Sequence, residues 1–129
     1  MSLASNNKRI LVVDDDVHIR RVLEVKLRSR GHIVSFARDG EEGLKLINEQ
    51  RPDVVITDIN MPRMNGEQMV RQADALKKDR TFLTIVMTAR ISKNDQTWTM
   101  EMKDTVLVEK PFSPARMIEC IDEYFGKDR

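Results

Sequence analysis

Ionisable and hydroxylic side chains follow several short apolar runs of this sequence. Asp14, Asp15 and Asp16 come after Ile10–Val13, Asp58 after the run at Val54–Ile56, Thr88 and Ala89 after Phe82–Met87, and Lys110 and Pro111 after the run at Val106–Val108. Any one aspartate at the end of a strand is an ordinary turn residue or helix cap, and Asp16 suits that role. Brought to one edge of a parallel sheet, the set reads differently. Carboxylates crowded to ~4–5 Å repel by several kcal/mol per pair at an effective dielectric of ~20, so they call for a cation or a proton between them. A hard, oxygen-preferring ion answers that need, and magnesium commonly takes only one or two carboxylates and keeps several waters. Lys110 adds a mobile cation and Thr88 a hydroxyl donor, both suited to the oxygens of a phosphoryl group in transfer. The inventory is that of phosphoryl transfer onto a carboxylate.

The elements that must hold these groups are legible as alternation. Five β-branched runs (residues 10–13, 33–36, 54–56, 82–87 and 106–108) are separated by stretches of helical period, the pattern of strand-helix units around a parallel sheet. Most runs lack in/out alternation, which predicts strands covered on both faces. Ile19, Val22, Leu23 and Leu27 predict a first helix, capped by Asp16 and stopped at Gly31, and Asp39 opens a second with Glu41 and Glu42 in its first turn. A third helix is expected from Glu67 to Lys78 with Met69, Val70, Ala73 and Leu76 inward. A fourth, in poor helix formers, is expected over Ser92–Met102, and a last over Pro114–Phe125 with Met117, Cys120, Ile121 and Tyr124 inward.

With 129 residues the chain has room for one core, and 22 Lys+Arg against 21 Asp+Glu leave a formal net charge of +1. That balance provides no global field for nucleic acid or an anionic membrane, so neither contact is expected of this domain. Hydrophobic residues at 40% with 33% charged exclude a largely disordered chain, and the lone Cys120 excludes an internal disulfide or a thiolate metal cage. No apolar run approaches a membrane span, and a cytoplasmic location is expected. Residues 1–7 carry no pattern and are expected to be a flexible segment ahead of one domain over 8–127, with 128–129 as a tail. His18 and His32 lack metal-ligand spacing and read as surface or cap residues.

Four motifs in order resemble the receiver domain of bacterial two-component response regulators: Ile10-Leu11-Val12-Val13-Asp14-Asp15, the segment Asp58-Ile59-Asn60-Met61-Pro62-Arg63-Met64-Asn65-Gly66, Thr88-Ala89, and Lys110-Pro111-Phe112. The resemblance covers Lys8 to about Lys127. It implies a doubly wound α/β fold of flavodoxin-like type, with a five-stranded parallel sheet in the order 2-1-3-4-5. It further implies that Asp58 accepts a phosphoryl group from a phosphohistidine on a sensor histidine kinase or histidine phosphotransfer protein. Asp14, Asp15, Asp58 and the backbone carbonyl of Asn60 would hold Mg2+. Lys110 and Thr88 would bind phosphoryl oxygens beside a small Ala89, and Pro111 would follow a cis peptide bond. A receiver is a phosphoacceptor switch that assists its own phosphorylation and dephosphorylation rather than a conventional enzyme, and it changes affinity for an effector domain or downstream protein.

The sequence departs from that pattern at Leu107, where such domains usually carry Tyr or Phe, and at Glu101-Met102-Lys103-Asp104, where the fourth helix usually ends in small residues. Arg90 stands at a position that varies in the family. The leucine predicts a weaker conformational response along the fifth strand. It also motivates an alternative, a receiver-like binding module working without phosphorylation, against which the intact acids, Thr88 and Lys110 argue. A second alternative, an aspartyl-phosphate phosphohydrolase, wants a general acid two residues after Asp58, where Asn60 stands.

Overall fold

The structure is a computed structural model that describes residues 7–61, 64–78 and 80–126. Five strands and five helices alternate: β1 Arg9–Val13, α1 Val17–Ser29, β2 Ile33–Ala37, α2 Gly40–Gln50, β3 Val54–Asp58, α3 Gly66–Asp74, β4 Leu83–Thr88, α4 Lys93–Glu101, β5 Thr105–Glu109 and α5 Pro114–Gly126. All pairings are parallel, in the order β2-β1-β3-β4-β5. This is the expected doubly wound arrangement, with β1 and β3 adjacent where the chain reverses its direction of winding. The expected segments 1–7 and 128–129, together with Pro62 and Arg63, lie wholly or largely outside the described residues.

Strand periodicity divides the core in two. Ile10 and Val12 of β1 pack with Leu23, Leu27, Met117 and Ile121 of α1 and α5, whereas Leu11 and Val13 face Ile47, Met69 and Trp98 of α2, α3 and α4. The three inner strands are apolar on both sides for that reason. β5 is not: as an edge strand it leaves Val106 37% exposed and Leu107 half-buried, so the expectation of two covered faces fails there.

Helix starts follow their caps. The Asp16 side chain accepts from the His18 N–H, Asp39 from Glu42, and Ser92 from Asp95. Asn65 and Gln68 form a reciprocal capping box, so α3 begins at Gly66. The expected third helix is shorter than its periodicity, because after Asp74 the chain tightens into a 3-10 turn over Ala75–Lys78. That turn buries Lys77. His32 is a second correction. It is buried beneath β1, its Nδ1 accepting the Lys8 N–H at 3.1 Å, and burial pushes its imidazole below the ordinary value.

Candidate acidic phosphoacceptor site

The carboxyl ends of β1 and β3, which are neighbours in the sheet, put Asp14, Asp15 and Asp58 side by side. One carboxylate oxygen from each lies within 4.8 Å of the others. Their environments differ sharply. Asp15 is exposed, Asp58 is buried, and Asp14 is fully buried. Asp14 Oδ1 accepts the Asp16 N–H at 2.9 Å, a bond within the turn that leads into α1. Its Oδ2 is buried with no hydrogen-bond partner among the described residues. Burial pushes the Asp14 carboxyl up to about 6; the Asp16 N–H opposes that rise, the Asp58 carboxylate adds to it, and Lys110 and Asp15 act more weakly in opposite directions. A buried acceptor left unpaired is uncommon in proteins and costs about 1–3 kcal/mol or more, so the oxygen reads as a ligand atom.

Lys110 reaches the cluster from the far side of the sheet's midline, its Nζ 3.3 Å from Asp58 Oδ2. The Lys110–Pro111 peptide is cis, and the Lys110 N–H donates to the Thr88 carbonyl at 2.7 Å. Thr88 ends β4 and is buried, but its hydroxyl points to backbone: it donates to the Arg90 carbonyl at 3.1 Å and accepts the Arg90 N–H at 3.3 Å. Ala89 and Arg90 are exposed beside it, and Asn60 is exposed two residues beyond Asp58.

Gly66 is a site residue that periodicity and motif chemistry alone leave unexplained. A Cβ there would fall 2.2 Å from the Asp58 carbonyl oxygen, and the Gly66 N–H donates to the Ile59 carbonyl at 2.8 Å. Only glycine lets the start of α3 close over the backbone of Asp58. The signal for it was the Asn65-to-Gln68 capping spacing, which places the glycine at the first helical position.

A family model described as the response regulator receiver domain matches residues 10–122. The chain belongs to the response regulator receiver domain family. It is 37% identical over 110 residues to a probable transcriptional regulator ycf27 of Guillardia theta, an alignment covering 85% of this chain and 42% of that protein. It spans less than half the length of this and other curated relatives that it matches. Among solved structures, the Vibrio cholerae chemotaxis protein CheY4 superposes with a TM-score of 0.82 at 27% identity, covering 91% of this chain and 98% of that one. The receiver domain of sensor histidine kinase PA1611 from Pseudomonas aeruginosa PAO1 does so with a TM-score of 0.80 at 26% identity, covering 93% of this chain and 98% of that chain, and that structure has a magnesium ion coordinated in its active site cleft. Receiver domains are phosphoacceptor signalling domains rather than conventional enzymes, which makes the acidic cluster the place to look for this receiver's chemistry. No helix among its described residues is long and apolar enough to cross a membrane.

Proposed function

We propose that this receiver is a Mg2+-dependent switch in which Asp58 accepts a phosphoryl group from a phosphohistidine of a sensor histidine kinase or histidine phosphotransfer protein. An Asp58 carboxylate oxygen forms the new bond to phosphorus while the phosphorus–nitrogen bond breaks and its electron pair returns to the imidazole. Asp14, Asp15, Asp58 and the Asn60 carbonyl are the proposed ligands of the ion. When bound, the ion supplies charge neutralisation for the incoming phosphoryl oxygens.

The observation that carries this reading is the buried Asp14 carboxylate, whose Oδ2 has no hydrogen-bond partner among the described residues and one of whose oxygens lies within 4.8 Å of the Asp15 and Asp58 carboxylates. A hard cation would satisfy it and relieve the mutual repulsion. Lys110, already beside Asp58 Oδ2, screens the carboxylate before transfer and would bind a phosphoryl oxygen after it. Thr88 would contribute a second donor once its hydroxyl leaves Arg90. Gly66 lets the start of α3 lie against the Asp58 backbone, where a Cβ would collide with the Asp58 carbonyl.

We further propose that the receiver unit runs over residues 8–127, works in the cytoplasm without contacting nucleic acid or membrane itself, and serves an effector domain or separate downstream protein. The length of its relatives supports the effector.

Mass spectrometry after incubation with acetyl phosphate and Mg2+ tests the assignment. The wild-type chain should gain one phosphoryl group and Asp58→Asn none. A full adduct on the Asn variant would place the nucleophile elsewhere.

A further inference from the structure

The Thr88 hydroxyl stands at the end of β4, where the loop to α4 begins, and a residue from the neighbouring strand ties that loop down. Both polar functions of the Thr88 hydroxyl are engaged by the Arg90 backbone. One residue on, the Ile91 N–H donates to Glu109 Oε2 at 3.2 Å. Glu109 stands directly opposite Thr88 in the register of β4 and β5, and it immediately precedes Lys110. Ser92, the next residue after Ile91, is the N-cap of α4. The carboxylate therefore ties Ile91, one residue before the N-cap of α4, to the end of β5.

We propose that Glu109 is a positioning residue, a latch that holds the β4–α4 loop in the arrangement where Thr88 faces Arg90 and so opposes the phosphorylated state. This rests on the assignment of Asp58 as phosphoacceptor. For Thr88 to donate to a phosphoryl oxygen, its hydroxyl must give up the Arg90 carbonyl, and the backbone of residues 89–91 must shift with it. A contact made in only one of two states contributes its whole free energy to the difference between them. The Glu109 bond to Ile91 is a charge-assisted contact of that kind, because the N–H it accepts belongs to the segment that moves. Leu107 offers no polar contact that would hold or release the loop, which leaves Glu109 as the side chain of β5 bonded to it.

Beryllofluoride, a stable mimic of the aspartyl phosphate, provides the test. Its affinity in the presence of Mg2+ is measured by titration of amide shifts for the wild type, Glu109→Ala and Glu109→Gln. Loss of the latch in Glu109→Ala should tighten binding about three- to tenfold, the range expected for one hydrogen bond. Glu109→Gln keeps an oxygen acceptor of the same reach and should gain no more than about threefold, and less than Glu109→Ala. Binding of Mg2+ alone should be the same in all three proteins, and the Ile91 amide of the unligated protein should shift in Glu109→Ala. An equal gain in both variants would mean that the charge acts through space, and no gain in Glu109→Ala would mean that the bond does not oppose the switch. Either result overturns the latch while leaving Asp58 in its role. Failure of the wild type to take up beryllofluoride would instead overturn the Asp58 assignment, and the latch with it.

Discussion

Two buried ionisable groups lie at opposite ends of the sheet, and they are treated in opposite ways. Lys77 sits beneath the amino ends of β4 and β5, 3% exposed, and its ammonium is surrounded by acceptors. It donates to Thr84 Oγ1 at 3.1 Å, to the Lys103 carbonyl, and to the Asp104 carbonyl at 3.4 Å, and it lies 4.6 Å from the centre of the Phe82 ring. Asp104 adopts φ 50°, a left-handed conformation within the turn whose two carbonyls receive the ammonium. Asp14, at the carboxyl end of β1, is as deeply buried but keeps one oxygen with no hydrogen-bond partner among the described residues. A satisfied buried charge organises the structure around it; an unsatisfied one stores an affinity for something the chain does not itself contain. The difference separates a structural strut from a binding site without reference to residue type.

Several substitutions can break or sharpen that contrast. The largest effect belongs to Lys77→Ala, which strands two carbonyls and a hydroxyl in the interior and should destabilise the fold by about 3 kcal/mol in urea titrations, with Mg2+ affinity unchanged. Should Mg2+ affinity fall as far as stability does, the two ends of the sheet are not independent.

The next effect is one of pH. Burial pushes Lys77 down to about 8, with the Asp74 and Asp104 carboxylates opposing and Lys103 adding. Between pH 8 and the ordinary lysine value the unfolded chain binds a proton that the folded chain has lost, so this group makes stability rise with pH through that window. The penalty of the buried charge is fully present below pH 8. Subtracting the stability–pH curve of Lys77→Met from that of the wild type should leave this rise alone, on the order of 3 kcal/mol. A flat difference would mean that the acceptors around the ammonium fully offset its desolvation.

Asp14→Asn should do the reverse of Lys77→Ala. It removes a buried, repelled carboxylate, so stability of the metal-free protein should hold or rise, while Mg2+ affinity by calorimetry falls at least about tenfold, or ~1.4 kcal/mol. Unchanged affinity would exclude Asp14 from the metal shell. Smallest of all, Tyr124→Phe removes the hydroxyl that donates to Asp104 Oδ2 at 3.1 Å at the edge of the Lys77 network. The cost should be about 1 kcal/mol or less, because the residue is only half-buried.

The contrast also marks how far each end could be read in advance. Asp14, Asp15, Asp58, Thr88 and Lys110 stand at the ends of apolar runs, so the strand pattern and the rule that ligands gather at carboxyl ends point to them before any coordinates. Lys77 offered no such signal: it follows the inward Leu76 in a stretch with helical periodicity, and only the tightening to a 3-10 turn swings it beneath β4. His32 failed the same way, since its burial depends on β1 and its hydrogen bond to Lys8 comes from 24 residues away. The large side chains at Trp98, Met100 and Met102 take opposite sides of the α4 segment. Trp98 packs on the sheet side and donates to Asp95 Oδ1 at 3.2 Å, Met102 is partly buried, and Met100 is 84% exposed.

What the sequence determined by itself is local: which segments are strands or helices, where caps and turns interrupt them, and which reactive groups come at the ends of the apolar runs. Those follow from side-chain period, backbone preference and short-range hydrogen bonding, all encoded within a few residues. The tertiary structure decided what each group meets. Asp14 and Asp15 are adjacent and chemically identical, yet one is sealed with an orphan oxygen and the other faces solvent, because the end of β1 lies between β2 and β3 and α1 departs over one side only. Glu109 meets Ile91 for the same reason, through a register that joins residues 18 apart. Burial and hydrogen-bond satisfaction belong to pairs of segments, and pairing is settled only when the whole sheet closes.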